Sequence, residues 1–149
     1  MKAITIIQPW ATLIAVGEKK FETRSWATKH RGDIAIHAGK KIDKKACAEP
    51  EIKAALERHG YTADTLPTGA VVATANLSDC HEVYIEHLGD AVLLKSGAPH
   101  TWIGQGNKEF AFGWYETGRY AWRMDEVEKL SEPLPAKGQQ GLWNLANQF

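Results

Sequence analysis

The sequence predicts an α+β fold, a small and partly closed β-barrel with helices packed at its side. Three observations carry this reading. β-rich runs are many and short, helical spacing is confined mainly to one early and one middle stretch, and no alternating βαβα pattern runs through the chain. The absence of that alternation argues against a doubly wound parallel sheet. At 149 residues and 44% apolar content, the chain is predicted to form one domain over 1–149 with a real core.

"AITII" (Ala3–Ile7) is short and β-branched, so it reads as the first strand. Pro9 suits a first helical position, and Trp10, Leu13, Ile14 and Gly17 follow helical spacing with a glycine stop. Lys20–Trp26 alternates as a strand. Lys20, Glu22, Arg24 and Trp26 then share one face, and Phe21, Thr23 and Ser25 the other. Phe21 is the expected core anchor, which leaves the charged face to meet solvent, a cleft or compensating partners. "GDIAIHAG" (Gly32–Gly39) is a further strand whose His37 is expected to be partly buried and structural. Asp43–His59 is the best long helix, divided by Pro50 and closed by Gly60. Thr68–Leu77, Ala91–Leu94, Phe110–Phe112, Tyr120–Leu130 and Gly141–Leu145 complete the predicted strands. Ser96–Glu109 reads as a long glycine-containing loop of functional character.

Composition excludes several classes. No apolar run approaches the roughly 20 residues that span a bilayer, and the N-terminal stretch is too short for a signal-peptide core. Cys47 and Cys80 form no CxxC and imply no disulfide framework. A cytoplasmic location is expected. Net charge is zero, yet the zero is a cancellation: residues 18–45 hold nine Lys/Arg against four acids, while residues 46–149 hold eight against fourteen. Such asymmetry lets a neutral chain present one positive face. Dispersed charges on solvated loops account for the same counts.

The sequence carries no phosphate loop and no GxSxG elbow, and its lone Gly104-Gln105-Gly106 lacks a Rossmann context. Asp79-Cys80-His81-Glu82 contains metal-ligating residue types, but neighbours on a strand point to opposite faces. No metal and no cofactor are expected. What stands out is the turn from Gly17 to Trp26. Lys19 follows a helix C-terminus, whose partial negative charge favours an ammonium. Glu22 and Arg24 lie about 6.6–7 Å apart on one strand face. They can grip one ligand, with the arginine fork reading a phosphate or base edge and Trp10 and Trp26 offering flat stacking surfaces. An ion network of Lys19, Glu22 and Arg24 capped by the tryptophans fits the same spacing and binds nothing.

"QPWATLIAVGEKKFETRSW" (8–26) followed by "HRGDIAIHAGKK" (30–41) closely resembles the ASCH domain (activating signal cointegrator homology), a branch of the PUA-like superfamily. Gln8-Pro9-Trp10-Ala11, Leu13-Ile14, Gly17-x-Lys19, Glu22-x-Arg24-Ser25-Trp26 and Arg31-Gly32 fit its signature. The tail "GRYAWRMDEVEKLSEPLPAKGQQGLWNL" is similar to the ending of bacterial and phage members. The resemblance implies a β-barrel with flanking helices, a cleft beside the Gly-x-Lys turn, and dealings with RNA or DNA. One enzymatic branch hydrolyses acetylated cytidine through Gly-x-Lys-x-x-Thr-x-Arg. Gly17, Lys19 and Arg24 match that pattern, but Glu22 replaces the threonine nucleophile, and Val71–Asn76 lacks the glutamate of a later strand.

The function expected is therefore a nucleic-acid-binding module whose partner is RNA, DNA or a nucleotide-like small molecule. Its alternative is a small hydrolase acting on RNA or an acylated nucleoside, with Lys19 and Glu22 as the catalytic pair. The expected ligand-binding residues are Lys19, Glu22, Arg24, Gln8, Trp10, Trp26 and Lys137, the last from a Lys137-Gly138 turn closing the cleft. Trp143 is expected in the core.

Overall fold

β1 (Lys2–Gln8) turns Ile4 and Ile6, alternate residues on one of its faces, into the core. The computed structural model describes residues 1–94 and 101–146. After β1 come α1 (Trp10–Ala15), β2 (Phe21–Arg24), β3 (Gly32–Ile42), α2 (Lys44–Cys47), α3 (Pro50–Arg58) and β4 (Ala70–Ile85). The chain continues with β5 (Ala91–Leu94), β6 (Thr101–Ile103), α4 (Lys108–Ala111), β7 (Tyr120–Pro135) and β8 (Leu142–Asn144).

The eight strands form one mixed sheet in the order β2-β7-β4-β3-β1-β8, with β5 and β6 extending from β4. Only β1 and β3 run parallel among these pairings. β2 and β8 end the path without pairing to each other, so the barrel stays open at a seam, as the sequence predicts. β4 and β7 are the long strands, and their ladder carries three register irregularities that bend the pair.

The main core packs Ile4, Ile6, Ile34 and Ile36 against Leu77, Trp122 and Met124. α1 is a wedge between two cores. Ile14 faces the sheet, while Leu13, the next residue round the helix, packs with Ile52, Ala55 and Leu56 of α3. Pro50 divides the middle helix as expected, since it cannot donate to the preceding turn and instead opens α3.

Three expectations change. Phe110–Phe112 is not a strand but lies at the end of α4, whose start is capped by Asn107 accepting the Glu109 amide at 2.8 Å. The two phenylalanines mimic strand alternation, yet they serve different apolar clusters. Thr101–Ile103, within the stretch read as loop, pairs with β5; residues 96–100 of that stretch lie outside the described residues. The strand read as Lys20–Trp26 is regular only over Phe21–Arg24, and Trp26 lies beyond it. Among the described residues, no helix is long and apolar enough to cross a membrane.

Candidate functional site

The turn after α1 is built by backbone geometry. Gly17 adopts φ +82°, a conformation costly to a residue with a Cβ, and the amides of Glu18 and Lys19 fold back onto the Leu13 carbonyl at 2.9 and 3.0 Å. This reversal swings the Lys19 side chain inward, leaving it 2% exposed. Its ammonium donates to the Phe21 carbonyl. Burial lowers the proton affinity of Lys19, the carboxylates of Glu22 and Glu109 oppose that shift, and Arg24 adds to it. Glu109 on α4 accepts the Lys20 amide. Burial raises its pKa against the pull of Lys19 and nearby amides. Beside them, burial first and then the Glu109 and Glu22 carboxylates push the Tyr115 phenol upward.

On β2, alternation puts Glu22 and Arg24 on one side and Phe21 on the other, where it packs with Val83, Leu93 and Ala121. Glu22 Oε2 accepts from Arg24 Nε at 3.1 Å, and the Arg24 terminal nitrogen lies 3.0 Å from the same oxygen. That nitrogen also donates to the Thr5 carbonyl of β1 at 2.7 Å. Arg24 therefore reaches across the open side of the sheet, tying β2 to β1, which do not pair with each other. Lys20 turns away and pairs with Asp125 at 3.0 Å.

A cleft of about 870 Å³ opens at this seam. Trp10, Lys19, Glu22, Arg24 and Trp26 all line it. Gln8 and Lys137 do not. Gln8 is fully buried; its carboxamide accepts the Thr12 amide at 3.0 Å and donates to Thr12 Oγ1 and the Pro67 carbonyl at 2.7 and 2.8 Å. It thus caps α1 and anchors the approach to β4. Lys137 is exposed, and the following Gln139, Gln140 and Gly141 line the cleft instead. Gly138 allows close approach, but to protein: a Cβ there would lie 2.7 Å from His37 Cε1 and 2.8 Å from Thr5 Oγ1. His37 and Trp143 are core groups as expected, meeting edge to face at 5.5 Å and both bonding to Thr5 Oγ1.

The family model for the ASCH domain matches residues 4–133 of the sequence, which hold all of the cleft's lining residues except Gln139, Gln140 and Gly141. The chain belongs to the ASCH domain family. It is similar to human activating signal cointegrator 1, with 28% identity over 128 residues, or 82% of this chain and 22% of that protein. It is also 34% identical over 80 residues to the mouse protein of the same name, covering 52% of this chain and 14% of that one. The chain thus spans about a fifth of the human relative's length and less of the mouse relative's.

Sequence reading missed four groups of the ASCH cleft region. Thr5 supplies the carbonyl that Arg24 grips, and Glu109 sits beside the Lys19 amine. Trp114 and Arg119 line the outer wall, the guanidinium carbon lying 4.0 Å from the indole centroid. The available signal was "GWYETGR" (113–119), a tryptophan in a polar, glycine-flanked loop with an arginine five residues on. Nothing local placed it against β2.

A second cavity of about 550 Å³ adjoins the ASCH cleft, and the two share Trp10 and Ala111. Lys45 lines this second cavity, beside the exposed Lys40, Lys41 and Lys44 in sequence. None of the four lysines makes an ion pair among the described residues. The basic excess of residues 18–45 is therefore partly ion-paired at the turn, whereas at the end of β3 and start of α2 its lysines make no ion pair among the described residues, although Asp43, Glu49 and Glu51 line the same cavity as Lys45.

Proposed function

We propose that this ASCH domain binds nucleic acid, as RNA or a modified nucleotide, with the ligand entering the cleft beside the Gly17–Trp26 turn. The unit is the single PUA-like domain over 1–149. Lys19, Glu22 and Arg24 form the polar end of the site, and Trp10 and Trp26 its flat walls. The observation that carries this is a cleft lined by cations and indoles, joined through Trp10 to a second cavity lined by Lys45, which like Lys40, Lys41 and Lys44 makes no ion pair among the described residues. Such lysines suit phosphates, and the cleft suits a base. Kinship to activating signal cointegrator 1 supports the domain assignment and extends no further into that much longer protein.

The test is titration of labelled single-stranded and duplex RNA and DNA, with a nucleoside panel alongside, at about 50 and about 200 mM salt. Affinity is expected to fall with log salt at a slope of about −0.7 per phosphate contact on single strands. No binding at low salt, or binding indifferent to salt, would overturn the reading.

The buried, proton-averse Lys19 between two carboxylates favours a second reading, hydrolysis of RNA or an acylated nucleoside. Glu22 is a carboxylate, a poor acyl acceptor and a better base, so a threonine-type mechanism is not expected. Turnover by wild type that disappears in Glu22→Gln while affinity survives would establish the hydrolase.

A further inference from the structure

We infer that Trp114 is a stacking platform for one unpaired nucleobase, so that the ASCH cleft selects single-stranded over duplex nucleic acid; this rests on the nucleic-acid reading above. Three tryptophans line the cleft, and two of them are partly taken up by packing. Trp26 meets Trp122 edge to face at 4.8 Å, and Trp10 packs against both the sheet core and the α3 cluster. Trp114 differs, being 59% exposed.

Its exposure is held in place. The Trp114 amide donates to Thr23 Oγ1 at 3.2 Å, and Arg119 donates to the Trp114 and Thr23 carbonyls at 3.0 and 3.2 Å. These bonds fix the loop to β2 while the guanidinium covers one indole face. A tryptophan serving only to fill space buries itself, as Trp122 and Trp143 do. Here the backbone is anchored by polar bonds, one face is occupied and much of the ring remains in solvent. That is the arrangement of a surface awaiting a flat partner.

The partner's edge chemistry follows from the neighbouring groups. Glu22 offers carboxylate oxygens, Arg24 offers guanidinium donors, and Gln139 and Gln140 lie on the same cleft with amides able to donate and accept. A planar group with both donors and acceptors on its edge matches this set, as a nucleobase does. Inside a duplex each base is stacked on both faces, and its pairing edge is occupied. Only an unpaired or extruded base can lay a face on Trp114.

The experiment measures binding of a labelled single-stranded RNA decamer, and of the same strand annealed to its complement, to wild type, Trp114→Ala, Trp114→Phe and Trp102→Ala. Trp102 is 60% exposed on β6 and does not line the cleft, so it controls for loss of a surface indole. Trp114→Ala is expected to weaken single-strand binding roughly 5- to 150-fold, the range for losing one base–aromatic stack. Trp114→Phe should recover most of that loss, Trp102→Ala should match wild type, and the duplex should bind more weakly than the strand. Thermal melting checks that each variant is folded. Normal single-strand affinity in folded Trp114→Ala would overturn the platform while leaving the nucleic-acid reading intact. Equal duplex and single-strand affinity in wild type would overturn the selection for unpaired bases. Failure of wild type to bind either RNA would bring down both readings.

Discussion

Arg24 holds two positions at once, and its substitution separates them. Its guanidinium joins the largely buried Glu22 to the Thr5 carbonyl, so Arg24→Ala leaves a carboxylate and a carbonyl without their donor. Loss of a charged hydrogen-bond partner at a part-buried site costs on the order of 1–3 kcal/mol. A strand arginine read from sequence alone contributes little to stability, and the contact with Thr5 is what changes that expectation. Arg24→Lys keeps a cation but not the planar fork, so it should recover part of the stability and little of the ligand affinity. Urea unfolding and binding titrations on the same samples check this. Equal recovery of both would show that charge alone matters. The pairing of Glu22 with Arg24 was legible because both ends lie two residues apart on one strand. The Thr5, Glu109 and Trp114 contributions were not, because they arrive from elements up to about a hundred residues away, and nothing in their local sequence marks the meeting point.

At the scale of elements, the cleft turn is clamped from outside. Glu18 accepts from Arg58 of α3 at 2.7 Å and lies 3.6 Å from Lys108 of α4. The Arg58 hydrogen bond holds the Glu18 carboxyl below its usual pKa of 4.5, burial opposes this, and the Lys108 and Arg58 charges add to the lowering. The folded state therefore binds fewer protons than the unfolded state just below pH 4.5, and the clamp's contribution fades as pH falls through the lowered value. Wild type should exceed Glu18→Gln in stability at neutral pH by up to about 1 kcal/mol, since the Arg58 half of the pair is exposed to solvent. The gap should close in acid. Unfolding curves at pH 7 and pH 3 read the difference, and a gap independent of pH would mean that packing rather than charge joins the helices. Most elements were readable from alternation, glycine and proline. α4 was not: Phe110 and Phe112 have strand spacing, and only the Asn107 cap with its tertiary placement shows a helical turn.

For the whole molecule, neutrality conceals a division between an ion-paired cleft turn and a lysine ridge that makes no ion pair among the described residues. Lys19, Lys20 and Arg24 all have carboxylate neighbours, whereas Lys40, Lys41, Lys44 and Lys45 have none in ion-pair range among the described residues. The ridge should therefore supply affinity that is general and salt-dependent, and the cleft should supply discrimination. Replacing all four ridge lysines by glutamine should flatten the salt dependence by about three in slope if each meets one phosphate of a single strand. Relative preference among nucleosides should stay unchanged, as competition with free nucleosides can measure. An altered preference with an unaltered slope would reverse these roles.

The open seam also sets an order of manufacture. β2 pairs with β7, and β1, joined early to β3, gains its other neighbour only when β8 is made, so both early strands are completed by late ones. The lysine, glutamate and arginine of the turn leave the ribosome early, but Trp114, Arg119, Gln139 and Gln140 follow roughly a hundred residues later. At about 5–20 residues per second, that interval is on the order of 5–20 seconds. A nascent chain carries the family's recognisable signature throughout that time without possessing the cleft, whose last lining residue is Gly141.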